Sequence, residues 1–235
     1  MCTVSYISLQ NKKVITSNRD EKLTRPQSNK PNEEVINGCK VIFPKDPHAG
    51  GTWFAINENG ASAVLLNGAF EKHVSKANYS KSRGLVLLDI ISQPNPLQYL
   101  HMVSLQTIEA FTLVLYHHHA LIEFRWDEAQ KYFNELDKDG NYIWSSATLY
   151  THEVQQTREK LFNAFIANET NMSEEHIKRF HTTSDNDFEN GFVMHRPNQA
   201  QTFSVTQAVY IDKFVAFSHH NLLNHEQHDS AITIR

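Results

Sequence analysis

The order of segment types constrains this fold more than any single residue does. Strand-like runs come first, then helical ones, then strands, helices and strands again. Residues 3–9 and 14–17 are rich in alternating and β-branched apolar side chains. They flank the polar stretch Gln10-Asn11-Lys12-Lys13, which predicts a hairpin. Asn59-Gly60 sits between the apolar runs 53–57 and 61–66, the strongest hairpin signal in the chain. Residues 80–105 read as two helices: Leu85, Leu88 and Ile91 have helical spacing, and Pro94 and Pro96 interrupt before Leu97, Leu100 and Val103. Runs 111–116 and 121–126 return to strand. Residues 151–168 form the clearest helix, with Val154, Leu161, Phe162, Phe165 and Ile166 on one face. Ser173, followed by Glu174 and Glu175, caps a further helix through Phe180. Strands at 202–211, 215–219 and 231–234 close the chain. Residues 22–38, with Pro26 and Pro31, read as a long surface loop, and 184–190 as a polar loop. No repeat or composition shift marks a boundary, so the expectation is one α+β domain over residues 1–235, its antiparallel sheets covered by helices.

Composition narrows the function classes. Eight glycines and seven prolines in 235 residues argue against linker-rich or low-complexity chains. A net charge of −4 without a basic cluster excludes nucleic acid as a natural partner. The apolar runs are far shorter than the ~20 residues that cross a bilayer, so no stable membrane insertion is expected. Two cysteines, Cys2 and Cys39, are no disulfide framework and suit a cytoplasmic protein. Oligomeric state is not legible.

Cys2 carries the sharpest chemistry because of where it sits. A small side chain at position two permits removal of Met1, after which Cys2 holds both a thiol and a free α-amine. That amine titrates near 7.7–8.0 in model compounds (roughly) and can take the thiol proton, so one residue supplies nucleophile and base. Asn18-Arg19-Asp20-Glu21 ends the second predicted strand, and the hairpin returns it to residue 2. An arginine there lowers a thiol pKa, and a carboxylate can orient the amine.

Met1-Cys2-Thr3, Asn18-Arg19-Asp20-Glu21, Gly50-Gly51-Thr52-Trp53, Asn67 after Ala63-Val64-Leu65-Leu66, and Ser82-Arg83-Gly84 occur in order and at set spacing. Together they resemble the NRDE family, also called the transport and Golgi organisation protein 2 family. The resemblance extends through Trp144-Ser145-Ser146-Ala147-Thr148-Leu149 to residues 202–212. The family is similar to N-terminal nucleophile hydrolases of the penicillin V acylase and bile-salt hydrolase branch. The resemblance implies a four-layer αββα sandwich with two stacked antiparallel sheets. It further implies Cys2 as nucleophile, Arg19 and Asp20 as its tuning residues, and Asn67 in an oxyanion hole. Asn18, Trp53, Arg83 and Ser146 are the substrate-binding candidates. The implied reaction is hydrolysis of a non-peptide C–N amide bond through a thioester. The alternative is a non-catalytic binding or trafficking protein for a lipid, acyl or haem ligand. The partner is accordingly a small-molecule amide or a hydrophobic ligand.

Arg19 and Asp20 are adjacent, so both reach Cys2 only if the strand ends or bulges there. Ser145 and Ser146 occupy a stretch where the hydrolases place an asparagine. No arginine stands at 202–205. No metal and no cofactor are expected. His117 and His119 have metal-ligand spacing on a strand, with His219-His220 elsewhere, but spacing supplies no third ligand. Asp185, Asp187 and Glu189 imitate the start of a calcium loop without its glycine. Cys39 reads as a buried thiol.

Overall fold

The computed structural model describes residues 2–184 and 186–235, with Cys2 described for its backbone only. The removal of Met1 and the calcium-loop candidate Asp185 therefore lie outside the described residues. The predicted hairpin forms from β1 (Cys2–Leu9) and β2 (Lys12–Lys22), in register from Cys2 opposite Arg19 to Leu9 opposite Lys12. It sits inside a seven-stranded antiparallel sheet.

The other seven-stranded sheet runs in chain order through β3 (Asn32–Ile36), β4 (Cys39–Phe43), β5 (Phe54–Asn57), β6 (Ser62–Asn67), β7 (Phe111–His117), β8 (Ala120–Trp126) and β9 (Lys131–Leu136). The Asn59-Gly60 turn joins β5 and β6 as expected, with Gly60 at φ 77°. The first sheet is completed by β10 (Asn141–Ser145) beside β1, and by β12 (Ala200–Ile211), β13 (Phe214–Asn221) and β14 (Gln227–Thr233) beyond β2. The short β11 (His195–Arg196) pairs with the start of β12.

Among the strands without a strand reading, β3, β9 and β10 are sheet edges, and β11 is a two-residue pairing. β3 lies within the anticipated loop 22–38, and β9 and β10 had no strand reading. An edge strand half-faces solvent and carries polar residues, so its apolar alternation is weak.

Helices α1 (Arg83–Ile91) and α2 (Pro96–Met102) cover the second sheet, and α3 (His152–Asn168) and α4 (Glu174–His181) cover the first. Pro96 opens α2 at its first turn, where a missing N–H costs nothing, and Asn95 accepts from the Gln98 N–H as its cap. Thr151 and Ser173 cap α3 and α4 in the same way.

Three apolar layers result. Leu87 and Ile90 of α1 pack with Phe111 and Phe124 of the second sheet. Val4, Tyr6, Phe54 and Phe217 fill the space between the sheets, with Phe54 edge-on to Phe217 at 5.2 Å. Ile7 and Val14 pack with Phe162 and Ile177 beneath α3 and α4. Helix, sheet, sheet and helix thus stack as four layers, as the resemblance implied. Among the described residues, no helix is long and apolar enough to cross a membrane.

Candidate active site

Residue 19 is the hub. β2 pairs Arg19 directly with Cys2 on one side and with Ser204 of β12 on the other. The Arg19 side chain enters the space between the sheets, where it is 2% exposed. Its Nη2 donates to Asp46 Oδ2 at 3.0 Å, and its Cζ lies 4.7 Å from the centre of the Trp53 ring. Arg25 donates to the same Asp46 oxygen at 3.3 Å, and Glu21 lies 3.8 Å from Arg19 and 3.9 Å from Arg25. Two guanidinium groups and two carboxylates thus interleave. Burial pushes both carboxyls up. It is outweighed at Asp46 by the backbone N–H of Ala49 and the two arginines, and at Glu21 by the Lys22 N–H and the same arginines. Both end below their ordinary values and stay ionised.

Arg19, Glu21, Asp46, Trp53, Asn67 and Arg83 line a single cleft of ≈ 120 Å³. Four of the sequence candidates therefore meet in space: Arg19, Trp53, Asn67 and Arg83. Asn67 arrives at the end of β6, and Arg83 at the first turn of α1. Arg83 is steadied by Glu109 at 2.9 Å and by the Ala110 carbonyl at 3.0 Å. The Gly51 and Gly84 backbones close one wall. A Cβ on Gly51 would fall 2.4 Å from the Gly84 carbonyl carbon, so no side chain fits there.

Asp20 goes elsewhere. β2 stays regular through this pair, and the bulge falls on the neighbouring strand, between Thr202 and Ser204 of β12. Adjacent residues on a regular strand face opposite ways, so Asp20 points into the layer under α3. There Tyr150 donates to its Oδ2 at 2.8 Å and Thr202 to its Oδ1 at 2.7 Å. Burial raises the Asp20 pKa, partly countered by Arg158 and by these two hydroxyls.

Arg158 is buried in the same layer. It stacks 3.7 Å over the Tyr150 ring and donates to Thr3 Oγ1, to the Asn190 carbonyl and to the Gly191 carbonyl. Asn18 also faces the helices. Its amide donates to the His181 and Phe192 carbonyls at 2.8 and 3.0 Å and leaves no group toward the cleft. Ser146 stands behind the cleft wall and donates to the Asn67 carbonyl at 2.9 Å.

Sequence reasoning passed over Asp46, Arg25, Tyr150, Thr202, Arg158 and His181. Only Arg158 left a usable trace: it interrupts the apolar face of α3 between Val154 and Phe162. Asp46 lies in an irregular turn and has no such pattern. The histidine-rich stretch 117–119 forms the β7–β8 turn, with His118 and His119 at positive φ. Among the described residues no group of three or more His, Cys, Asp or Glu is placed to hold a metal.

The transport and Golgi organisation 2 family model matches residues 1–227. The chain belongs to that family. No curated protein sequence matches it. Its fold is similar to that of a mutant conjugated bile acid hydrolase from Clostridium perfringens, at TM-score 0.62 and 10% identity, covering 98% of this chain and 92% of that one. A second variant of the same hydrolase gives 0.63 at 11% identity, covering 97% and 92%. The Caenorhabditis elegans orthologue of N-acylethanolamine-hydrolyzing acid amidase gives 0.61 at 9% identity, covering 89% and 99%. These likenesses establish an N-terminal-nucleophile-hydrolase type of fold for this family member.

Proposed function

We propose that this chain hydrolyses a non-peptide C–N amide bond with Cys2 as nucleophile. The observation that carries the proposal is the direct pairing of Cys2 with Arg19, whose side chain lines one cleft with Asn67. Likeness to two amide-hydrolysing enzymes supports the reaction class. With Met1 removed, the Cys2 α-amine accepts the thiol proton and the sulfur adds to the amide carbonyl carbon. Asn67 donates to the oxyanion. The C–N bond breaks, the amine departs with the proton from the α-ammonium, and a thioester remains. Water then adds to the thioester, giving one proton to the α-amine. The C–S bond breaks, releasing a carboxylic acid and restoring the thiol.

Arg19 favours the thiolate. Trp53 and Arg83 shape the cleft. Asp20, Asn18 and Ser146 serve from behind it, holding β2 and β6 in place. The proposal includes a single domain over residues 1–235 and a cytoplasmic location.

Intact mass and iodoacetamide labelling test it. The mature protein should begin at Cys2 and label there, and Cys2→Ala should abolish turnover of any amide the protein cleaves. A mature chain that retains Met1 overturns the mechanism.

A second reading, a non-catalytic carrier of a lipid, acyl or haem ligand, draws support from the placement of Asp20. Its carboxylate is bound by Tyr150 and Thr202 on the far face of β2. A Soret shift on haem titration, or a co-purified ligand found by mass spectrometry in an inactive protein, would favour it.

A further inference from the structure

The cleft has two properties that the amide-hydrolase reading does not require. It is small: ≈ 120 Å³, against roughly 300–1,000 Å³ for pockets that enclose drug-sized ligands. It also has a surplus of donors. Arg19 Nη1 and Trp53 Nε1 are buried and have no hydrogen-bond partner among the described residues. Buried donors in a native protein are ordinarily satisfied, so this pair of cleft-lining residues calls for an acceptor beyond the described residues.

The two carboxylates of the cleft already have partners. Asp46 takes Arg19, Arg25 and the backbone N–H groups of His48 and Ala49. Glu21 lies between Arg19 and Arg25 and accepts from the Lys22 N–H. A third observation has the same sign. Ser82, Arg83 and Gly84 line the cleft, so α1 presents its positive N-terminal end there.

We infer that the cleft recognises a short acyl group bearing a second, anionic oxygen function, as in the monoamide of malonic or succinic acid. The carboxylate of such a ligand meets Arg19 Nη1 and Trp53 Nε1. The chemistry at the scissile bond rests on the hydrolase reading, whereas the binding preference does not.

Isothermal titration of the full chain with malonate, succinate and the neutral amides butanamide and hexanamide at constant ionic strength tests the preference. Succinate or malonate should bind at least about ten-fold more tightly than hexanamide, since a buried charged donor rejects a ligand that has no anionic group to pair with it. Trp53→Phe keeps an aromatic ring under Arg19 and removes the pyrrole half of the indole with its N–H. It should weaken succinate binding about ten-fold while circular dichroism stays unchanged. Butanamide or hexanamide binding as tightly as succinate, or Trp53→Phe leaving succinate affinity intact, overturns the inference. Hydrolysis of succinamate and of hexanamide separates the two claims. Succinate binding without hydrolysis of either amide upholds the inference and refutes the hydrolase. Hexanamide hydrolysis without dicarboxylate binding does the reverse.

Discussion

Lowering the pH should loosen the hairpin that carries Cys2 and Arg19, and His181 should account for a measurable share of the loss. His181 ends α4 and is fully buried. Its Nε2 lies 2.7 Å from Ser5 Oγ, and its Nδ1 contacts Asn18 Oδ1. An amide oxygen only accepts, so Nδ1 carries the proton and Nε2 accepts from the Ser5 hydroxyl. The ring thus clamps β1 and β2 together in its neutral form. Burial, reinforced by the nearby Arg158 charge, lowers its pKa from 6.5 to about 3.

A depressed histidine pKa contributes stability that is present above the unfolded-state value and lost as pH falls toward the folded-state value. Between pH 7 and pH 5 the unfolded histidine gains its proton and the folded one does not. The gap of about 1.5 pH units below 6.5 is worth about 2 kcal/mol at 1.36 kcal/mol per unit. His219, lowered by burial to about 3, and His117, lowered by burial to about 4, act in the same direction, so the wild-type protein has other acid-sensitive sites. The comparison with His181→Gln isolates this one. Urea unfolding should show the wild type losing about 2 kcal/mol more than the variant between pH 7 and pH 5. Equal losses in the two proteins would refute the reasoning, because His181 would then titrate alike in both states.

Other outcomes follow from single contacts. Tyr150→Phe removes one of the hydroxyl donors to buried Asp20 and should cost about 1–3 kcal/mol in denaturant unfolding, with the Asp20 carboxyl protonated at higher pH. Gly51→Ala forces a Cβ against the Gly84 backbone. It should destabilise the chain by about 1–3 kcal/mol and widen the cleft wall, read as a lowered Tm with raised reactivity of the cleft to small probes. Phe162→Ala, at 1% exposure in the layer under α3, should cost about 3–5 kcal/mol in the same unfolding assay. Cys2→Ala should fold with the wild-type circular dichroism spectrum yet lose iodoacetamide labelling at residue 2.

The central strands and all four helices were legible because each buries a continuous face. A buried face leaves a period of two or of 3.6 in the chain. Residues 3–9, 61–66 and 111–116 carry such runs, and the caps Thr151 and Ser173 mark where helices begin. The edges β3, β9 and β10 were not legible, since half-solvated strands owe their place to a neighbour rather than to their own pattern.

The candidate site divides along the same line. Local motifs named Cys2, Arg19, Trp53, Asn67 and Arg83, and the hairpin's register puts residue 2 opposite residue 19 without help from distant elements. Which way Asp20 faces depended on where a bulge fell, and it fell on β12, beside Thr202, 182 residues further along the chain. Asp46, Tyr150 and Arg158 entered through long-range packing that leaves no local periodicity. The chain's own pattern thus decided the layers and the strand that bears Cys2. The charge balance and size of the cleft came from contacts between segments far apart in sequence, because a side chain's partners depend on register and packing as well as on residue type.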